Sequence, residues 1–301
     1  MAGLAVIAAG GLFFDDRTVL GEGVWLKPLK FAVSFALYTI TLAWMTGRAE
    51  RWRRTVRGIG TVTVALFVVP EISIITFQAV RGQRSHFNVS TVFNDVLVKA
   101  MGGAAYAGWA MTLLLGVFLL WQRRVDRPLA WSIPIGLFVS LAGMSIGYLM
   151  TSPTAAQQRG LDAGEHPATL GAHSVGVLDG GAGLPLTDWA ADGGDLRISH
   201  FVGLHALQLL PLSAVVLGLL ARRVALLRGE GTRTALVVVG GAGHAGLTAL
   251  LLWQAERGQP LLEPDRLTLT AGVCLAGSVV AGVVAVLVTA AVRAGRGSPG
   301  W

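Results

Sequence analysis

Charge is sorted along this chain by loop: long apolar runs are separated by short connections, and arginines cluster in every second connection. This pattern leaves few architectures open. About 20 apolar residues in a helix cross the roughly 30 Å hydrocarbon layer, so runs of 18 or more read as membrane helices. Seven runs qualify: Leu29–Gly47, Gly58–Val80, Ala100–Trp121, Trp131–Met150, Phe201–Leu220, Thr234–Trp253 and Leu267–Val292. An eighth, Met1–Phe14, reaches only about 21 Å at 1.5 Å per residue. The composition agrees. Hydrophobic residues are 53% of the chain and charged residues 14%, against about 25% charged in soluble domains.

The arginines orient the spans. Arg48, Arg51, Arg53, Arg54, Arg57, Arg123, Arg124, Arg127, Arg222, Arg223, Arg228, Arg233, Arg293 and Arg296 fall in alternate connections or the tail, with only Glu50, Asp126 and Glu230 among them. That set carries a net charge of +11 and the remaining connections −3. Short basic loops stay in the cytoplasm. The expectation is an all-α polytopic transmembrane helix bundle of about eight spans, with both termini cytoplasmic. If the first run does not cross, seven spans remain and the amino terminus is outside. That run has no basic n-region and no small-residue cleavage site, so a cleaved signal peptide is not expected. Trp44, Trp121 and Trp131 at inner ends, and Trp25 and Trp253 at outer ends, match interfacial aromatics. The pI of 10.5 thus reflects topology. The arginines flank spans and form no single basic domain, so the expected partners are the lipid bilayer and a small molecule, with no nucleic acid.

Residues 1–301 read as one integral membrane domain with a long extracytoplasmic loop, 151–199. The Ala/Gly/Val/Arg-rich usage suggests a bacterial source, which places the chain in the inner (plasma) membrane. A lone Cys274 permits no disulfide within the chain, so the outer loops must be ordered without staples. Gly180-Gly181, Gly193-Gly194, Pro185 and Trp189 suggest that the long loop makes turns that cap the bundle. Loops of that length are functional or disordered.

Small residues recur at helix-face spacing: Gly143 and Gly147, with Gly136 and Ser140; Gly240, Gly243 and Gly246; Ser278 and Gly282, with Gly277 and Ala281. Close backbone approach drives helix association in lipid, so these mark packing faces. Pro70, Pro134 and Pro211 each remove a helix hydrogen bond.

Four segments carry a resemblance: Trp25-Leu26-Lys27-Pro28-Leu29-Lys30-Phe31, Arg84-Ser85-His86-Phe87-Asn88, His173-Ser174-Val175-Gly176, and the stretch from His200 to Gln208. In these the chain resembles a family of uncharacterised bacterial multi-pass membrane proteins. The resemblance implies a membrane fold and brings no mechanism.

Polar residues within or beside the spans are the site candidates. Glu71 is the one acid inside a run, about 14 Å from the outer end of its helix, and ionisable residues at such depth are functional candidates. Gln78 follows on the same face, with Arg81 near that stripe. Lys27 and Lys30 start their helix at i, i+3; with Arg81 and Arg84 they form a cluster suited to an anionic headgroup or solute, while the plainer reading is snorkelling. Asn88 lies beside them. His205 and Gln208 share a face at i, i+3 and stand beside the outer end of their helix. The expected site is an outward-open polar pocket between the Gly58, Phe201 and Thr234 helices, roofed by the long loop, with Glu71 and His205 sharing it.

Three functions compete. A binding or transport protein for a small polar or anionic solute uses Lys27, Lys30, Glu71, Gln78, Arg81, Arg84, Asn88, His205 and Gln208. A haem b redox protein uses His205 and His244 as paired axial ligands. A metal-dependent membrane hydrolase uses His86, His173 and His200 around a zinc ion with an open coordination position. No HExxH, GxSxG, P-loop or dinucleotide fingerprint occurs.

Overall fold

The computed structural model describes residues 1–122 and 126–296. Arg123 and Arg124 therefore lie outside the described residues. The chain forms a helical bundle: α1 (Ala2–Phe14), α2 (Leu26–Gly47), α3 (Arg53–Val80), α4 (Val92–Leu120), α5 (Arg127–Met150), α6 (Ala155–Asp162), α7 (Leu196–Leu204), α8 (Ala206–Leu220), α9 (Glu230–Glu256) and α10 (Arg266–Arg296). α2, α3, α4, α5, α9 and α10 are each long and apolar enough to cross a membrane, and α7 with α8 makes a further candidate bent by 42°. This is a multi-pass membrane bundle. α1, at 13 residues, is about 20 Å long and shorter than a full crossing.

The two ends of the bundle differ as the charge pattern requires. At one end the Gln122 side chain accepts from the Glu50 and Arg51 amides, and Glu230 accepts from the Arg127 amide at 2.7 Å. Between these ties and the mid-bundle lies a packed core of Leu42, Met45, Val56, Leu115, Leu141 and Leu207. The other end is closed by a cap built from residues 15–25, 81–91 and 151–195.

Turn chemistry orders the cap. β1 (Thr18–Val19) pairs antiparallel with β2 (Glu22–Gly23). Leu20 and Gly21 both have positive φ between them, as a two-residue type I′ hairpin demands. Thr154 and Gln157 form a reciprocal capping box on α6, satisfying two free helix amides. β3 (Ser174–Val175) pairs with β4 (Gly194–Asp195). The long loop is thus a folded lid, tied down by Lys30, which pairs with Glu22 and donates to Thr187 O at 3.0 Å.

Glycines set the helix seams. A Cβ on Gly143 would lie 2.6 Å from the Gly203 carbonyl carbon, and one on Gly147 would lie 3.1 Å from the His200 ring, so α5 and α7 cross backbone to backbone. Where α7 bends into α8, Leu204 O accepts from Ser140 Oγ at 3.0 Å. Gly243 and Gly246 receive Val279 and Leu275 at the α9–α10 seam, whereas Gly240 and Gly277 meet nothing within 4 Å. In α3, residues Val64–Val68 form a π-helical turn in which the Val69 amide bonds Val64 O. Pro70 follows at once. Its missing N–H and bulky ring make a wide turn the natural adjustment, and Glu71 comes next.

Candidate functional site

Five helices enclose a cavity of about 450 Å³ under the cap. Each contributes one face at helical spacing: Lys27, Phe31 and Ser34 from α2; Phe67, Glu71 and Ile75 from α3; Val98, Gly102 and Ala105 from α4; Met144, Gly147 and Tyr148 from α5; Arg197, His200 and Phe201 from α7. The 81–91 loop adds Arg84, Ser85, His86 and Phe87, and the lid adds His173, Asp179 and Asp188. The walls are aromatic. Phe31 packs against Phe35, His86 and Phe201 at ring-centroid distances of 5.7, 6.0 and 6.4 Å.

The polar groups sort into paired and unpaired. Asp195 is 1% exposed; it caps α7 and holds Arg197 at 2.6 Å. Lys30 is held by Glu22. Among the described residues, Lys27 and Arg84 have no hydrogen bond or ion pair from their side chains, although Lys27 lies near enough for its charge to act on Glu71. Glu71 is 4% exposed, and among the described residues its Oε2 has no partner; nor does the buried Tyr148 hydroxyl. An unpaired buried carboxyl is costly to a fold.

The histidines are fixed by their neighbours. His173 Nδ1 bonds Asp179 Oδ2 at 3.0 Å, and Asp179 also accepts from the His173 and Ser174 amides. His200 Nδ1 lies 2.7 Å from Gly143 O. A carboxylate and a carbonyl only accept, so both Nδ1 atoms carry the proton and both Nε2 atoms present a lone pair. His86 Nδ1 meets the Ser85 hydroxyl at 3.0 Å. Burial lowers the His86 pKa well below the usual imidazole value, helped by the charge of Lys27. Burial also lowers His173, against the opposing pull of its Asp179 bond. For Asp179, burial pushes upward, but the His173 bond and backbone amides outweigh it and hold the carboxyl below the ordinary range.

Of the residues expected from sequence, Lys27, Lys30, Glu71, Arg84, His86, His173 and His200 come together around this cavity. Gln78, Arg81, Asn88, His205, Gln208 and His244 are not among its lining. Gln78 is fully buried; its amide donates to Arg84 O and Asn94 Oδ1 and its oxygen accepts from Arg81 at 2.7 Å. Asn88 accepts from Ser90. These side chains fasten the 81–91 loop to α3 and α4. Gln208, with its amide turned to donate, reaches Leu204 O and His205 O at the bend between α7 and α8. The cavity therefore lies against α2, α4 and α5 and not against the Thr234 helix, and the shared Glu71–His205 pocket expected from sequence does not form. α7 bends away at His205, leaving it beside His244.

The cofactor alternatives find little to hold them. His244 Nε2 lies 2.8 Å from Val202 O, which ties α9 to α7 and occupies the nitrogen a haem iron would need. Among the described residues, no group of three His, Cys, Asp or Glu side chains is placed to hold a metal ion. His86 and His173 have ring centroids 6.4 Å apart, each with Nδ1 already engaged.

Sequence reasoning missed Arg197, Tyr148 and the phenylalanine walls. Arg197 had a signal: a cation two residues after an aspartate at the start of a span is a capped helix with a fixed charge. Tyr148 had none, since nothing in the sequence marks which face of α5 borders a cavity. Compared with protein-family models, with curated proteins and with solved structures, the chain shows no match.

Proposed function

We propose that this protein is a plasma-membrane binding protein for a small anionic solute, held in the cavity under the cap, with the capped end outside the cell. Orientation follows from the arginine-rich end being cytoplasmic. On this reading the carboxyl terminus is cytoplasmic, and an eighth span with the amino terminus also inside requires the bilayer to thin around α1.

The observation that carries the binding reading is a pair of cations, Lys27 and Arg84, that face the chamber without a hydrogen bond or ion pair from their side chains among the described residues, although Asp179 and Glu71 lie near enough for their charges to act on them. Pockets that bind small molecules are mostly apolar with a few convergent polar groups. Every other cation in the lining, Lys30 and Arg197, is neutralised by a carboxylate. The core of Leu42, Met45, Leu115 and Leu141 lies beneath the chamber. That floor favours binding over a continuous pore.

The test is thermal stabilisation of the purified full-length protein by hexanoate and by inorganic phosphate, since a ligand that binds only the folded state raises its midpoint. At least one should stabilise the wild type, and Lys27→Gln with Arg84→Gln should remove the effect. Arg257→Gln, which breaks contacts with Asp265, Thr268 and Trp253 outside the cavity, should leave it intact. No stabilisation by either anion, or equal stabilisation of the double variant, overturns the reading.

A further inference from the structure

The wall between α4 and α5 is tight at one end and loose at the other. The halves of α4 and α5 nearer the arginine-rich end are sealed: Trp109 Nε1 donates to Leu141 O and Ser145 Oγ at 3.3 and 3.2 Å, and Leu137 fills the place of a side chain at Gly116. Toward the cap the seal ends. Val98, Gly102 and Ala105 of α4 and Met144, Gly147 and Tyr148 of α5 face the chamber. Gly102 lines the cavity and is exposed. A Cβ built there meets no atom within 4 Å. The loosely packed stretch beside Gly102 is where an exit from the chamber between α4 and α5 would lie.

The polar end of the chamber asks for two things at once. Lys27 and Arg84 call for an anion. The Nε2 atoms of His173 and His200 have no partner among the described residues, and with Nδ1 protonated they can only accept. A bare carboxylate or sulfate supplies the charge but no donors. An anionic head bearing hydroxyl groups supplies both. The apolar walls below, Phe31, Phe35, Phe67 and Met101, suit a hydrocarbon chain, and an exit at Gly102 would let the rest of that chain stay in the membrane.

Resting on the anion-binding reading above, we propose that the occupant is a membrane amphiphile with a hydroxylated anionic head of the phosphoglycerol type. Its phosphate sits at Lys27 and Arg84, its hydroxyls at His173 and His200, and its tail passes out between α4 and α5. The Tyr148 hydroxyl, buried and unpartnered on the α5 side of that exit, is the donor placed where head and tail join.

The test separates the lipid from its soluble head. Binding to the full-length protein in detergent is measured for lysophosphatidylglycerol, glycerol 3-phosphate and lysophosphatidylcholine. Glycerol 3-phosphate lacks the tail that packs on the phenylalanine walls and holds the lipid beside the site, so lysophosphatidylglycerol should bind at least tenfold more tightly than glycerol 3-phosphate. It should also bind at least tenfold more tightly than lysophosphatidylcholine, whose head lacks donors. Gly102→Trp should weaken lysophosphatidylglycerol at least tenfold and leave glycerol 3-phosphate unchanged; Gly102→Leu should act in the same direction and less. If glycerol 3-phosphate binds as tightly as the lipid, or Gly102→Trp affects both alike, the lateral site is overturned while anion binding stands. If the two lipids bind equally, the head assignment is overturned. If none of the three binds, both proposals fall.

Discussion

At the scale of single residues, the site is defined by groups that the fold leaves unsatisfied. Glu71 places a buried carboxyl in the chamber wall with one oxygen unpartnered among the described residues. A residue kept for stability would not be placed so, because an unpaired buried polar group costs about 1–3 kcal/mol. Glu71→Leu should therefore raise the thermal midpoint of the ligand-free protein, as expected where a polar group is kept at the expense of stability. A lowered midpoint would make Glu71 a packing residue. Gln78 is the converse. It donates to Arg84 O and Asn94 and accepts from Arg81, so Gln78→Ala removes three buried hydrogen bonds, although Arg81 keeps its bond to Asn94. It should cost about 1–3 kcal/mol, read as a lowered midpoint in thermal unfolding. In sequence these two looked alike, being polar and on one helix face seven residues apart. What distinguishes them is the 81–91 loop folding back over α3 and supplying Gln78 with partners, and no spacing rule reveals that.

At the scale of elements, glycine spacing was legible and its consequence specific. Gly143 and Gly147 read as a packing face, and the structure sets them against Gly203 and His200. Gly143→Ala should push α5 from α7 and disturb His200, whose ring nitrogen bonds Gly143 O. The expected result is a lowered midpoint together with weakened ligand binding. Gly277→Ala is the control. It meets open space, so it should be neutral or stabilising by about 0.5–1 kcal/mol, the gain of replacing a helical glycine. Equal losses in both variants would mean that the seam at Gly143 is not the tight one. The spans were legible because lipid forces long apolar helices. The bend between α7 and α8 was not. Pro211 was the visible breaker, yet the chain turns at His205, six residues earlier, where Ser140 from another helix takes up the Leu204 carbonyl. A tertiary hydrogen bond decided the position, and for that reason His205 left the site assigned to it from sequence.

At the scale of the whole molecule, the cap and the bundle meet through buried imidazoles, and this makes the closure sensitive to acid. His86 lies in the 81–91 loop and His173 in the lid. Lys27 from α2, Arg84 from the loop and Arg197 and His200 from α7 surround them, and Asp179 is the acid bonded to His173. Burial lowers the pKa of both histidines below the ordinary 6.5. A lowered pKa means that the opened cap binds protons more readily than the closed one. Closure is thus fully supported above about pH 6.5 and weakens as pH falls from there toward the lowered values, by at most about tenfold per pH unit for each histidine that takes up a proton. Asp179, itself held below the usual carboxylate range, keeps its contribution through this window and loses it only at far lower pH. Amide hydrogen exchange of residues 173–195, corrected for the intrinsic effect of pH, should therefore show faster opening at pH 5.5 than at pH 7.5. The tightly packed ends of α4 and α5 near Leu115 and Leu137 should not change. His86→Gln should shrink the acid effect without abolishing it, since His173 remains. Lid opening that is independent of pH, or that slows on acidification, would place the two imidazoles in solvent and remove them from the chamber.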